Sequence, residues 1–262
     1  MTIPVDGSRI LLTGASSGIG WATAEALAAR GAMLAVTARR RARLEELVAS
    51  LPGTGHVVIE ADLSDPRRAR DVALEAWKLL GHLDVVVHNA AMPKRRIVTS
   101  LTAEEVEETM RVNFHAPVQM TLATLPLMLE RGHGVQVYVA STGGRVGIAH
   151  ESAYCASKFA LSGWAEAMAI DLGSTEIDVR LVQPGPIDTE IWDHPGSESP
   201  LFDGPKEPPS VVAAAIIDAI EQHGFERYAP DMSAMVIWHV DHLDDYISAM
   251  SSGMANLQGG RA

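Results

Sequence analysis

The chain has little cysteine, a deficit of basic residues and no long apolar run. Its single cysteine, Cys155, cannot form an internal disulfide and is expected to pack as a small hydrophobic residue. With 21 basic against 33 acidic residues, the chain lacks the extended basic surface that nucleic-acid binding requires. No apolar run is long enough to span a membrane, and residues 1–8 lack the features of a signal peptide. We therefore expect a cytoplasmic protein that binds neither nucleic acid nor membrane.

What the chain does have is the composition and rhythm of an α/β domain. Of its 262 residues, 47% are hydrophobic and 21% charged, which is typical of a globular protein. Apolar, strand-like segments alternate with helical patterns, which predicts a single-domain, Rossmann-like, doubly wound and mostly parallel seven-stranded sheet with helices on both faces. The expected strands are Arg9–Thr13, Met33–Ala38, His56–Glu60, Asp84–His88, Val135–Ala140, Ile177–Gln183 and Phe225–Ala229. Ligands of such sheets bind at the carboxyl ends of the strands.

A glycine-rich turn follows the first of these strands and precedes an alanine-rich helix that runs to about Arg30. Gly14 permits a tight turn, Gly18 lets the backbone approach a pyrophosphate, and Gly20 permits close packing of the helix. The helix N-terminus adds unpaired NH groups and a positive dipole. The order strand, turn, helix predicts a dinucleotide site, although the spacing is G-x-x-x-G-x-G and glycines alone are also ordinary in loops.

Tyr154 and Lys158 lie four residues apart in a segment, Ala153 to Asp171, that is predicted to be helical. This spacing places both side chains on one helix face, and Ser141 lies thirteen residues upstream. A phenol has a pKa of about 10, and a nearby ammonium lowers it by stabilising the phenolate. Together the three side chains are suited to moving a proton at a carbonyl. Each alone also has an ordinary explanation, as a strand end, a half-buried aromatic and a surface charge.

Taken together, these motifs resemble the classical short-chain dehydrogenases/reductases over roughly Arg9 to Tyr228, and residues 1–230 are assigned to that domain. The resemblance implies transfer of a hydride between a nicotinamide cofactor and a ketone or secondary alcohol, without a metal. One departure is Ala91, where the family usually has glycine. The implied catalytic residues are Asn113, Ser141, Tyr154 and Lys158. The implied cofactor-binding residues are Gly14, Ser16, Ser17, Gly18, Ile19, Gly20, Arg39, Asp62, Leu63, Asn89, Ala90, Ala91, Tyr154, Lys158, Pro184, Gly185, Ile187 and Thr189.

Each catalytic residue has a function implied by this resemblance. Tyr154 is the general acid or base, and Ser141 hydrogen-bonds the substrate oxygen. Lys158 lowers the tyrosine pKa and holds the nicotinamide ribose, while Asn113 anchors a water that relays protons through Lys158. The family commonly pairs the helices of the Asn113 and Tyr154 segments, so a homodimer or homotetramer is expected.

The end of the second strand favours NADP(H) over NAD(H). Ala38 occupies the position at which NAD-binding relatives carry a carboxylate, and Arg39 beside it is suited to a 2′-phosphate. Ser16 is the second expected phosphate contact. Arg41 and Arg43 are expected merely to decorate the exposed helix that follows. A cluster of arginines in an acidic chain favours an anionic ligand.

Three further segments carry less certain expectations. Residues 190–209, rich in Pro, Gly and acidic residues, predict a mobile lid over the substrate. Residues 231–262 form a C-terminal amphipathic extension, with one helix over Met232 to Met250 that packs on its own subunit, on a partner or as a pocket wall, and a disordered end at 259–262. His239 and His242 are a weak metal-site candidate. The run Lys94 to Arg96 either touches an anionic substrate or is a solvated loop.

Two alternatives to a reductase of small ketones remain open. The same chemistry acts on carrier-bound 3-oxoacyl thioesters in related enzymes. A catalytically silent protein that binds NADP as a sensor or scaffold is the second alternative, although it has no need of Tyr154. In either enzymatic case the partner is a small-molecule carbonyl or alcohol.

Overall fold

The computed structural model describes residues 2–259, with side chains described for residues 2–252. Its centre is a seven-stranded sheet in which every neighbouring pair is parallel, in the order 3-2-1-4-5-6-7. The strands are β1 (Arg9–Thr13), β2 (Met33–Ala38), β3 (Val57–Glu60), β4 (Val85–His88), β5 (Gly134–Val139), β6 (Ile177–Pro184) and β7 (Glu226–Ala229). The predicted fold class is confirmed, and each predicted strand agrees with the observed one to within a residue at either end.

Helices cover both faces of the sheet. Within the described residues they are α1 (Gly18–Ala28), α2 (Arg41–Ser50), α3 (Pro66–Leu80), α4 (Ala103–Met110), α5 (Ala116–Arg131), α6 (Ser152–Asp171), α7 (Pro209–Glu221), α8 (Ser233–Asp241) and α9 (Leu243–Gly259). Alternate strand residues enter opposite cores. Ile10 and Leu12 pack with α1, α2 and α7, whereas Leu11 packs with α3, α5 and α6. Burial on both faces explains why the strands read as continuous apolar runs.

Local sequence sets the ends of α3 clearly. Asp65 is its N-cap and accepts a hydrogen bond from the backbone NH of Arg67 at 2.9 Å, and Pro66 occupies the first turn, where no NH partner is needed. Gly81 ends the helix with a left-handed φ of 83°. The helix spans the sheet from β3 and returns the chain to β4, beside β1. The strand order reverses between β1 and β4, and this reversal opens a crevice at the carboxyl ends of the strands.

The C-terminal segment differs from the single helix predicted over Met232 to Met250. It forms two helices, α8 and α9, separated at His242, which has φ −133° and ψ 46°. The His242 ring stacks on Trp238 at a centroid distance of 5.2 Å, and its Nδ1 lies 3.0 Å from the Trp238 carbonyl oxygen. That side chain competes for a carbonyl of the helical ladder, which is a local reason for the break. Residues 260–262 of the predicted disordered end lie outside the described residues.

Two further expectations concern single features. Cys155 is a free, buried thiol, as predicted, and burial raises its pKa to about 11. In the described part of the chain, no helix has the length and apolarity needed to cross a bilayer.

Candidate active site

A cavity of about 1260 Å³ opens at the carboxyl ends of the strands, where the strand order reverses. It is lined by every site residue predicted from the sequence except Asn113. The glycine-turn residues, Arg39, Asp62, Leu63 and the segment Asn89–Ala91 line one part of it. Ser141, Tyr154, Lys158, Pro184, Gly185, Ile187 and Thr189 line the rest. The fold therefore brings residues up to 175 positions apart in sequence to one cleft.

The glycine turn passes so close to neighbouring backbone that side chains do not fit. Gly14 has φ +70°, and a Cβ there would lie 2.8 Å from the Ala90 Cα. A Cβ on Gly20 would collide with the Gly14 carbonyl oxygen. Helix α1 begins at Gly18, carries no acidic residue in its first turn, and its N-cap residue Ser17 makes no side-chain cap. The turn thus leaves NH groups facing the cavity in an electropositive setting suited to a pyrophosphate.

Thr13, which sequence reasoning did not assign to the site, fixes the turn to the segment after β4. Its hydroxyl oxygen accepts hydrogen bonds from the backbone NH groups of Asn89 and Ala90, both at 2.9 Å. The Asn89 amide donates to the Thr13 carbonyl oxygen at 2.9 Å. These bonds hold the two walls of the cleft in register. Ala91 adopts no left-handed backbone, since His150 is the only non-glycine residue with positive φ among residues 2–259; the substitution for glycine costs nothing here.

At the far end of the cleft, β2 ends at Ala38 and is followed by Arg39 and Arg40, with no acid among the three. Ala38 lines the cavity beside the exposed Arg39. Arg40, not singled out from the sequence, donates from Nε and Nη2 to the Ser16 Oγ at 3.3 and 3.2 Å and pairs with Glu190 at 2.9 Å. The Ser16 hydroxyl accepts these bonds, which leaves its own hydrogen free to donate.

The next two arginines behave as predicted. Arg41 and Arg43 pair with Glu45 and Glu46 of their own helix, at 2.8 and 2.7 Å. They are the surface decoration that the sequence analysis expected, and the basic cluster that faces the cleft consists of Arg39 and Arg40.

Tyr154 and Ser141 face each other across the inner part of the cleft. Burial raises the pKa of the Tyr154 phenol well above its usual range; the negative charge of Glu151 raises it further, and the hydrogen bond with Ser141 opposes the rise. Ser141 lies two residues after the end of β5, and its Oγ also accepts from the Gly143 NH at 3.1 Å. The phenol is therefore neutral at pH 7, in the form that can donate a proton.

Lys158 lies beside this phenol, with its Nζ directed at a carbonyl. Its side chain is 1% exposed, its Nζ donates to the Val139 carbonyl oxygen at 3.0 Å, and it lies 5.8 Å from the Tyr154 ring centroid. Burial lowers the Lys158 pKa to about 7. Burial is also the largest influence on the Tyr154 pKa, and the lowering of that pKa by Lys158 stays a prediction.

Asn113 lies behind the cleft wall and joins two segments. Its Oδ1 accepts from the Met92 NH at 2.7 Å, and its Nδ2 donates to the Met92 carbonyl and the Ser157 Oγ, both at 2.9 Å. It sits in a π-helical turn, Arg111–His115, a distortion common at functional sites. Both amide hydrogens are used for structure, and the expected anchoring of a water stays a prediction.

The loop 190–209 covers the cavity and is tied down from below by Arg95, which is 4% exposed. The guanidinium donates to the carbonyl oxygens of Glu198 at 3.0 Å, Ile191 at 3.3 Å and Trp192. Arg95 is therefore not part of a solvated loop, but its guanidinium has N–H donors beyond these three and lines the cavity, so contact with an anionic substrate stays a prediction. Lys94 is also buried, 3.3 Å from Glu105.

The C-terminal helices form the outer wall of the cavity, one of the three options left open by the sequence. Met232, Met235, Tyr246 and Met250 line it, and the Tyr246 hydroxyl donates to the Gly147 carbonyl at 2.7 Å. No cluster of three or more potential metal ligands occurs in the described residues. His239 meets the edge of the Tyr246 ring at 4.6 Å between centroids.

The sequence model of the family described as short chain dehydrogenase matches residues 8–199, which include the glycine turn, Ser141, Tyr154 and Lys158. The chain belongs to this family. The resemblance predicted from the sequence is confirmed.

Curated relatives of this dehydrogenase differ in name and length. Mouse dehydrogenase/reductase SDR family member 7B is 32% identical over 188 residues, which cover 70% of this chain but 58% of the relative. Ketoacyl reductase HetN of Nostoc sp. is 30% identical over 82% of this chain and 76% of its own. The 3-ketodihydrosphingosine reductase of Bacteroides thetaiotaomicron is 34% identical over 71% and 66%. The chain thus spans well under two thirds of the mouse relative.

Solved structures agree on the fold. A short-chain dehydrogenase from Streptomyces avermitilis superposes with a TM-score of 0.80 at 30% identity, covering 97% of this chain and 99% of that one. A dehydrogenase/reductase from Burkholderia phymatum, solved in complex with NAD, gives 0.82 at 22% identity over 92% and 96%. The second likeness concerns the fold alone.

Proposed function

We propose that this dehydrogenase interconverts a ketone and a secondary alcohol with NADP(H), and that Tyr154 is its general acid and base. The observation that carries the proposal is the pairing of a desolvated, neutral phenol with the Ser141 hydroxyl in a cleft that also holds the glycine turn. A neutral phenol in a dry site is suited to protonate an oxygen on which negative charge develops.

The residues of this cleft fit a dinucleotide, because the glycine turn is a cradle that a Cβ would fill and the N-terminus of α1 faces the cavity. When bound, the nicotinamide cofactor supplies or accepts the hydride. Ser141 orients the carbonyl oxygen, and Tyr154 delivers the proton to it as the alcohol forms. In the reverse direction Tyr154 takes the alcohol proton. The Nζ of Lys158, beside the Val139 carbonyl, holds the ribose side of the site.

NADP(H) is favoured by charge at the end of β2. A 2′-phosphate would meet Arg39, the Arg40 guanidinium and the free hydrogen of Ser16, and Ala38 offers no carboxylate to the ribose hydroxyls. An NAD-binding site carries an acid at this position, which accepts hydrogen bonds from the ribose. The remaining predicted cofactor-binding residues, from Asp62 to Thr189, are assigned to the cofactor because they line the same cavity as the glycine turn.

The loop and the C-terminal helices contribute the apolar residues Trp192, Phe202, Met235 and Met250 to the cavity lining, and Ile148 before α6 adds to them. This favours a substrate with a bulky or extended apolar portion. It also keeps a second candidate open, reduction of a 3-oxoacyl thioester, which the name of the Nostoc relative supports. Comparing turnover of free ketones with that of thioesters distinguishes the two.

Substitution of Tyr154 by phenylalanine tests the chemistry directly. NADPH consumption should fall by about 100-fold or more, because the general acid is lost, while NADPH binding, followed by fluorescence, is retained. Tyr228→Phe is the matched control, since Tyr228 lies outside the cavity and should leave turnover intact. Unchanged turnover in the Tyr154 variant would overturn the proposal. Absent turnover in both proteins, with binding retained, would favour a sensor or scaffold.

We also propose a homo-oligomer. Helices α5 and α6 expose Leu122, Leu129, Phe159 and Ile170, each more than 40% exposed, on the outer side of the sheet. Large apolar side chains that share one surface are typical of an interface. Sedimentation velocity should give a dimer or tetramer; a monomer at micromolar concentration would contradict this.

A further inference from the structure

One carboxylate in the cleft has no function in the proposed chemistry. Glu151 is the residue immediately before α6 and lines the cavity together with Tyr154 and Ser141. Residues three positions apart at the start of a helix have Cβ atoms about 5–6 Å apart. The charge of Glu151 is accordingly felt at the Tyr154 phenol, where it raises the pKa.

The structure gives this carboxylate no hydrogen bond of its own. An acid at an N-cap position usually accepts from the second or third NH of the helix, but Glu151 makes no side-chain cap. Within residues 2–252, no donor reaches its carboxylate oxygens. A half-buried acid without a donor is energetically unfavourable, and burial raises the pKa of the Glu151 carboxyl accordingly.

The nearest cation does not satisfy it. Arg95 attracts the Glu151 charge but makes no hydrogen bond or ion pair with it, and three of its N–H groups are directed at carbonyl oxygens of the 190–209 loop. The neighbouring cavity residues Val146 and Ile148 are apolar. Glu151 is only partly buried and lines the cavity, so a donor on a molecule that enters the cleft can reach its carboxylate.

We propose that Glu151 binds a hydrogen-bond-donating group, a hydroxyl or an ammonium, within one or two carbons of the reacting carbonyl. It thereby selects hydroxy and amino ketones, and the corresponding alcohols, over plain ketones. A carboxylate or phosphate at that position is repelled by the like charge. This inference rests on the proposed function for the position of the reacting carbon, and it adds the substrate class.

The inference is tested by calorimetry, in which three alcohols of equal chain length are titrated into protein saturated with NADPH. The reduced cofactor cannot accept a hydride from an alcohol, so no turnover occurs. The probes are 2-octanol, 1,2-octanediol and 1-amino-2-octanol. The diol and the amino alcohol should bind the wild type roughly 10-fold or more tighter than 2-octanol, since hydrogen bonds to a charged group are the strong ones. Equal affinity of the three probes, or no measurable binding of the diol and amino alcohol, would overturn the inference.

Two variants separate hydroxyl from ammonium recognition. Glu151→Gln keeps an acceptor oxygen, so part of the diol preference should persist while the ammonium preference is lost; Glu151→Ala should lose both. Glu166→Gln, on the exposed side of the same helix, is the matched control and should keep both preferences. A preference that survives in Glu151→Ala would also overturn the inference.

Measurements of turnover distinguish a failure of the Glu151 inference from a failure of the proposed function. Oxidation of 2-octanol with NADP⁺, and its loss in Tyr154→Phe, tests the hydride chemistry alone. If 2-octanol is oxidised but no binding preference exists, the Glu151 inference fails by itself. If the preference exists and depends on Glu151 but no alcohol is oxidised, the proposed function fails and Glu151 remains a recognition residue.

Discussion

Replacement of Lys158 by methionine is expected to stabilise the ligand-free protein at neutral pH while abolishing catalysis. The side chain is fully enclosed, and burial lowers its pKa from 10.5 to about 7. At pH values at which both the folded and the unfolded chain carry the charge, this difference of about 3.5 pKa units lowers the free energy of unfolding by about 5 kcal/mol. Methionine has a similar length and no charge, so it removes that cost.

The gain is partly offset. Lys158 donates to the Val139 carbonyl oxygen, and leaving that buried acceptor unpaired costs about 1–3 kcal/mol. Below pH 7 the variant should therefore be more stable than the wild type by about 2–4 kcal/mol. Between pH 7 and 10.5 the unfolded chain binds the proton that the folded chain has lost, so wild-type stability rises with pH. The advantage of the variant should shrink by about 1.4 kcal/mol per pH unit and vanish near pH 9.

Urea unfolding at constant ionic strength, from pH 6.5 to 9.5 and without cofactor, measures this difference. Lys78→Met is the control, because Lys78 is exposed on α3, and its effect should not depend on pH. A Lys158→Met protein less stable than wild type at pH 7, or a difference that does not change with pH, would refute the reasoning. Either result would mean that the ammonium is better solvated than its burial indicates.

Three further outcomes are expected. Arg39→Ala should raise the KM for NADPH by roughly 10-fold or more with little effect on the KM for NADH, as expected for one lost charge-assisted contact. Arg41→Ala, whose partner is on its own helix, is the control and should leave both KM values unchanged. Equal effects of Arg39→Ala on the two cofactors would contradict the phosphate assignment. Arg95→Met should lower the unfolding free energy by about 2–4 kcal/mol and make the 190–209 loop sensitive to limited proteolysis; a loop that stays resistant would show that Arg95 does not secure it. Because burial raises the Tyr154 pKa, initial rates of alcohol oxidation should climb from pH 7 to 10 while ketone reduction does not; an oxidation optimum near pH 7 would contradict this.

The parts of the fold that could be predicted are those set by short-range pattern. A parallel strand buried on both faces is mostly apolar, so β2 and β4 stand out in the sequence. The glycine turn and the Tyr154–Lys158 spacing are equally local, and strand order then brings them to one cavity. Asn89 and Pro184 could be placed in the cleft simply because each follows or ends a strand.

What the sequence could not supply is the partner of each polar side chain. Arg95 looks like part of a solvated basic run, yet its partners lie about 100 positions away in the 190–209 loop. Arg40, the residue immediately before α2, contacts Ser16, and the neighbouring Arg39 was the arginine singled out from the sequence. The break at His242 follows from a ring nitrogen close to one carbonyl, which periodicity does not encode.

Exclusion of water from the inner cleft accounts for both the proposed chemistry and the proposed substrate selectivity. An apolar wall from the loop and the C-terminal helices desolvates three ionisable groups at once, and each responds in the direction that its charge dictates. The phenol of Tyr154 stays protonated, Lys158 loses its proton readily, and the carboxylate of Glu151 lacks a donor. A substrate that brings a hydroxyl or ammonium to Glu151 satisfies that carboxylate and, by pairing its charge, weakens its influence on the nearby phenol. The rise in the Tyr154 pKa that Glu151 causes should then shrink while the larger rise caused by burial remains, which couples recognition of the donor to the proton transfer itself.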